Sequence, residues 1–171
     1  MTENFDPDAL PGFTGHLFRV LGRFRDVAVN NHMDNGNLSD VTFHETGMVN
    51  GDTLLNTYNP PVVFSVFSGY DSEADSVAKQ TDTFNVDVAV FDWNYSRDWG
   101  LENVLRLIGN VITNVEANRT LQSSPGAGDP VAEDVTWSNL EPDFQFSEDE
   151  SMVINWCSVS FDVTSRRIRP R

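Results

Sequence analysis

Leu10, Phe13, Leu17, Leu21, Phe24 and Ala28 recur at steps of three and four, and Val20 and Val27 widen the stripe. That period predicts a helix over 10–30 with one apolar face, Arg19, Arg23 and Arg25 on wetter sides, and Pro11 in its first turn. The periodicity then stops. Residues 31–60 are rich in Asn, Asp, Gly and Thr and end in Asn59-Pro60. A plain loop of that length is unusual in a compact domain. The segment therefore reads as an outlying polar arm or loop reaching towards a neighbour, with a short strand or hairpin arm at Val41 and Phe43.

Two strand patterns follow. Pro61 to Ser68 is short, β-branched and aromatic, and Gly69 and Asp71 read as turn residues after it. Thr83 to Phe91 alternates strictly, with Phe84, Val86, Val88 and Val90 on one face and Asn85, Asp87 and Ala89 on the other. The apolar face must pack on something, and a partner comes next. Leu101, Val104, Leu105, Ile108, Val111, Ile112 and Val115 form a wide apolar stripe on a helix of about five turns. Ser96 or Asp98 can cap it, and Glu102 suits the positive end of its dipole. Leu121 to Pro130 is a Gly- and Pro-rich loop. An irregular strand through Val135, Trp137, Leu140, Phe144 and Phe146 follows, with Pro142 marking a bend or an edge position. After the turn Ser147 to Ser151, a last strand runs from Val153 to Thr164. The order predicts one domain over 1–171 of the α+β class: a mostly antiparallel sheet of four or five strands with two main helices on one face.

Charge changes the picture more than hydrophobicity does. Twenty-six acids face eleven bases, a formal charge of −15, and Lys79 is the only lysine. So much like charge repels itself in dilute buffer, whereas at molar salt the screening length falls to about 3 Å. This acid-rich, lysine-poor composition resembles that of proteins from extreme halophiles. Four of the eleven bases sit in the last six residues, as Arg166, Arg167, Arg169 and Arg171. An Arg-rich C-terminal tail over 165–171 is a candidate partner-binding element, because guanidinium groups make bidentate contacts to carboxylate or phosphate. An acidic body opposes general nucleic-acid binding, so an acidic protein surface is the favoured target.

Candidate chemistry is sparse. No nucleophile elbow, Walker loop, dinucleotide fingerprint or zincin motif occurs, and neither a catalytic centre nor a cofactor is expected. Pro125-Gly-Ala-Gly-Asp is glycine-rich, but no strand feeds it and no helix follows it. His16, His32 and His44 read as surface residues, and His44-Glu45 lacks a second ligand at metal-binding spacing. Cys157 alternates in phase with Val153, Val159, Phe161 and Val163, which makes it a buried inert thiol. Asp87 and Asp92 flank an aromatic segment, Phe91, Trp93, Tyr95 and Trp99, which covers the strand-to-helix junction or, alternatively, forms a sugar-like platform. No stretch approaches the ~20 apolar residues of a membrane helix, and the first ten residues lack the pattern of a signal peptide.

The order of elements from Asn59 to Leu121 resembles the tail terminator or tail completion proteins of long-tailed viruses. In that family an N-terminal helix precedes a Pro-led strand, here Pro60-Pro-Val-Val-Phe-Ser-Val. An alternating strand ending in a polar turn follows, here Phe84 to Trp93. An amphipathic helix comes next, here Leu101 to Val115, and then two C-terminal strands. With the halophile-like composition, the resemblance implies a virus of haloarchaea. It further implies a homo-oligomeric ring, typically a hexamer, that caps the tail tube and joins it to a head-completion or connector protein. Genomic DNA would pass through the lumen without specific binding, and the protein would reside in the virion after assembly in the host cytoplasm. Other readings are a different neck, connector or baseplate subunit, or a small halophilic enzyme or ligand-binding domain.

Overall fold

The computed structural model describes residues 12–47, 51–76, 79–94, 97–123, 126, 128–147 and 151–168. Five strands form one sheet: β1 (Phe43–Thr46), β2 (Val62–Ala74), β3 (Lys79–Asn94), β4 (Asp134–Phe146) and β5 (Val153–Ile168). Their order is β1-β2-β3-β5-β4, antiparallel throughout except for the parallel pair β1 and β2. Helices α1 (Gly12–Ala28) and α3 (Arg97–Ala117) cover one face, so the fold is of the α+β class. Leu10, Pro11 and Ser96, read from sequence as a helix start and a cap, lie outside the described residues, as do residues 148–150 of the β4–β5 turn.

The main core is where the apolar phases of three elements meet. Phe84, Val86, Val88 and Val90 of β3 and Cys157, Val159, Phe161 and Val163 of β5 point at the helices and are buried. They meet Val20, Phe24 and Val27 of α1 and Val104, Leu107, Ile108, Val111 and Val115 of α3, with Phe24 edge-on to Phe161 at 5.1 Å. The α3 stripe is rotated slightly from the expected one: Leu107 is buried, whereas Leu105 is exposed. Burial pushes the Cys157 thiol up to about 11, a poor nucleophile.

The segment 31–60 is not an outlying arm. It folds against the body as a 3-10 turn (Asn30–His32), strand β1 and a short helix α2 (Gly51–Thr57), burying Leu38, Val41 and Leu54. Its strand is a parallel edge on β2, not a hairpin arm. Leu54 belongs to a second, smaller core on the opposite face of the sheet, with Val62, Phe64, Trp93 and Ile154. That face was expected to carry no helix. Its uncovered remainder is lined by short polar residues, among them Asn85 bonded to Asp162 and Ser160 bonded to Asp87.

Three strands outrun their predicted ends. β2 continues past Gly69 and Asp71 to Ala74, absorbing its irregularity as a bulge between Phe67 and Gly69. β3 begins at Lys79, opposite Ile168, and β5 therefore runs on through Ser165, Arg166 and Arg167.

Candidate functional site

The C-terminal arginines divide sharply. Strand β5 alternates, so Arg167 shares the helix face with Ser165 and Val163, while Arg166 points the other way. Arg167 Nε donates to Asp82 Oδ2 at 3.0 Å, and its guanidinium lies 5.1 Å over the Phe13 ring. Arg166 is half exposed and bridges Asp75 at 3.4 Å and Glu133 at 3.0 Å. Residues 165–168 are thus strand rather than free tail, and two of the four arginines are occupied within the chain. Arg169 and Arg171 lie outside the described residues.

Asp82 is fully buried at the end of the sheet beneath the start of α1. Besides Arg167, its carboxylate accepts hydrogen bonds from Tyr70 Oη at 2.9 Å and Ser72 Oγ at 2.8 Å. His16 Nε2 stands 3.6 Å from it. Burial is the largest influence on His16 and lowers its pKa, with Asp82 pulling the other way.

A second buried aspartate closes the opposite end of β3. Asp92 is 5 % exposed and faces the first turns of α3. Asn103 Nδ2 donates to it at 2.6 Å, and Asn103 Oδ1 accepts from Arg106 Nη2 at 2.7 Å, which also reaches Asp40 Oδ2 at 2.7 Å. Desolvation is the dominant influence and raises the Asp92 pKa, against the opposing effects of Asn103, the Trp93 amide and Arg106. Its cross-strand partner Asn155 is fully buried, with neither side-chain polar atom hydrogen-bonded. Gly100 lies so close that a β-carbon there would overlap the Asn155 amide. Outside this group opens a cleft of about 590 Å³, walled by Pro60, Pro61, Trp99, Glu102, Asn103, Arg106 and Asp40.

The aromatic segment does not form one platform. Phe91 stacks on Trp156 at 6.1 Å and Trp93 is buried, both in the second core, and Tyr95 lies outside the described residues. Trp99 alone stands out, 70 % exposed on the cleft rim.

His44 is partly buried rather than exposed. Its ring nitrogens meet Asn30 Oδ1 at 2.7 Å and Ser65 Oγ at 2.8 Å, pinning β1 to the 3-10 turn after α1 and to β2. Burial, reinforced by Arg25, lowers its pKa to about 4. Among the described residues no three His, Cys, Asp or Glu side chains are grouped to hold a metal ion. No helix is long and apolar enough to cross a membrane among them.

Among the described residues, the sheet leaves two edges open on opposite sides. β4 is paired only with β5, and it carries exposed Trp137, Leu140 and Phe146, the last 52 % exposed. β1 covers β2 only from Val62 to Ser65, so the rest of that edge is unpaired among the described residues, beside exposed Phe67 and Tyr70. Trp137 and Phe146 pair with Phe161 and Val153, and Phe67 and Tyr70 with Val86 and Phe84, so all four lie on the helix-covered face. In the comparisons with known proteins, no family model and no curated sequence matches this chain.

Proposed function

We propose that this chain is a structural subunit that assembles into a homo-oligomeric ring, a hexamer in the tail-terminator reading, capping a viral tail tube and joining it to a head-completion or connector protein. The observation that carries the reading is the pair of open sheet edges on opposite sides, each flanked by exposed aromatic side chains on the same face. An unpaired edge is a template for another chain, and two different edges on one subunit make a head-to-tail contact, the kind that closes into rings. β4 carries the devices that keep a free edge from indiscriminate pairing: Pro142, exposed acids at Glu141 and Asp143, and an irregularity between Ser138 and Glu141.

The polar remainder of the second face, with Asp87, Glu141, Ser158 and Ser160 around a shallow hollow, suits a water-filled lumen through which DNA slides without sticking. On this reading Arg169 and Arg171, which lie outside the described residues, meet an acidic neighbour. The site of action on this reading is the virion neck, reached after assembly in the host cytoplasm.

Light scattering behind a sizing column, in dilute buffer and in about 3 M salt where the screening length is a few ångströms, tests the proposal. A ring-sized mass is expected at high salt, or a monomer that closes into rings when tail tubes are added. W137E combined with F146E is expected to return the protein to a monomer with its circular dichroism unchanged. A monomer in every condition, indifferent to tubes, would sink the assignment.

A further inference from the structure

Glu102, Asn103 and Arg106 lie three, four and seven residues after Trp99, which lays the four along one face of α3 above the Asp92 cleft. Among the described residues, neither Trp99 nor Glu102 makes a hydrogen bond or an ion pair, although both line the cleft. Arg106 uses only Nη2, on Asp40 and Asn103, and leaves Nε and Nη1 uncommitted. Asp40 likewise engages through one oxygen and is more than half exposed. The Asp40–Arg106 pair cancels itself electrostatically, so the open carboxylate of Glu102 and the buried one of Asp92 set the sign of the cleft. A large indole face beside an unpaired carboxylate, on a chain of charge −15, attracts a cation and repels phosphate.

The shape narrows the cation further. The lining includes flat groups, the Trp99 indole and the Pro60 and Pro61 rings. A planar, weakly hydrated guanidinium stacks on such surfaces better than a compact ammonium does. The cleft already holds one guanidinium in a related way, since Arg106 sits between the Asp40 carboxylate and the Asn103 amide. We infer that the Trp99–Glu102 cleft binds the guanidinium group of an arginine side chain presented by a partner chain. The cation would lie over the indole with Glu102 as its counter-ion and the free Asp40 oxygen as a second acceptor. This inference stands whether or not the chain forms rings, because it concerns a cleft within one copy.

The test is a titration of the full chain with acetyl-Gly-Arg-Gly-amide, followed by the indole N–H resonance of Trp99, assigned by its loss in W99F. The same peptide carrying citrulline, which has the shape without the charge, is the control, and lysine is the third probe. The arginine peptide is expected to give a saturable shift, with citrulline weaker by about fivefold or more and lysine between them. E102Q, an exposed and conservative change, is expected to weaken the arginine peptide about fivefold while the circular dichroism stays the same. Equal binding of citrulline and arginine, no change in E102Q, or no saturable shift up to about 50 mM would each overturn the inference.

Discussion

Strand β3 carries two aspartates ten residues apart on the same face, each beneath the start of a helix, and they have opposite surroundings. Asp82 is sealed. It has a guanidinium counter-ion in Arg167, two hydroxyl donors in Tyr70 and Ser72, and the Phe13 ring closing over the arginine. Asp92 has no counter-ion in contact among the described residues. An amide from Asn103 and the Trp93 backbone satisfy it, its neighbour Asn155 is unpartnered, and a cleft opens beside it. The same residue type in the same phase of one strand thus serves a structural plug at one end and a chemically available surface at the other. The difference lies in the partners that distant parts of the chain deliver: β2 and β5 bring side-chain donors to Asp82 beneath α1, whereas α3 brings the side-chain donor to Asp92 and the Asn155 of β5 beside it makes no bond.

The largest effect that can break this comparison is removal of the counter-ion at the sealed end. Stranding a buried carboxylate costs about 3–5 kcal/mol, and the remaining Tyr70 and Ser72 donors hold the expected loss for R167M near the lower figure, about 3 kcal/mol. Adding D82N to R167M should recover much of that loss, since the uncompensated charge is then gone. Urea unfolding monitored by circular dichroism measures both. If R167M costs less than about 1 kcal/mol, Asp82 is not sealed in the sense described and the two ends are alike.

The next effect is in pH, where the two ends have opposite signs. Asp92 has a raised pKa in the folded chain, so between the unfolded value of 3.8 and the raised one the folded state binds more protons. Stability from this group is therefore present at low pH and lost as pH rises through that window. His16 has a lowered pKa, so as pH falls below 6.5 the unfolded state takes up more protons and stability is lost. D92N should gain on the wild type as pH climbs, and H16Q should gain on it as pH drops. The contribution of His44, held at about 4, is common to all three proteins and cancels in the differences. Unfolding free energies from pH 3.5 to 7.5 decide this, and two differences of the same slope would contradict the contrast.

How much of this was legible in the sequence follows from the same two residues. The alternation from Phe84 to Val90 was readable because every inward position is apolar, and all four are buried. Asp82 and Asp92 are the next inward positions on either side, and a hydrophobic pattern ends where its inward phase turns polar. The misplaced strand ends of β2 and β5 have the same origin. Tyr70 and Ser72 on β2 and Ser165 and Arg167 on β5 continue the inward phase, yet they read as turn and tail because they are polar. Tyr70, Ser72 and Arg167 converge on Asp82 of β3, and Ser165 donates to the Val131 carbonyl, which no local rule sees. The Asp92 cleft was half visible. The Asp92 and Trp99 neighbourhood stood out as an aromatic and acidic segment, but strand parity turned Phe91 and Trp93 to the other face and left Trp99 at the rim. Asp40, Asn103 and Arg106 gave no signal, since polar residues in a loop and on a helix face look like ordinary solvated surface.

Arg166 gives the smallest effect and sharpens the sealed end by adjacency. It stands next to Arg167 in the chain, but alternation puts it on the opposite side, 48 % exposed, with Asp75 and Glu133 as partners. Exposed pairs contribute about 0–1 kcal/mol and fade with salt, so R166A should cost less than about 1 kcal/mol in dilute buffer and nothing measurable at molar salt. R167M should keep most of its cost at both salts, because the Asp82 contact is shielded from ions by the fold. A salt-insensitive loss above about 2 kcal/mol for R166A would show that both arginines belong to the plug. If instead R166A leaves stability untouched but lowers the mass of the assembled protein, the exposed arginine is part of a contact between copies, and its bridge to Asp75 and Glu133 is what a neighbour displaces.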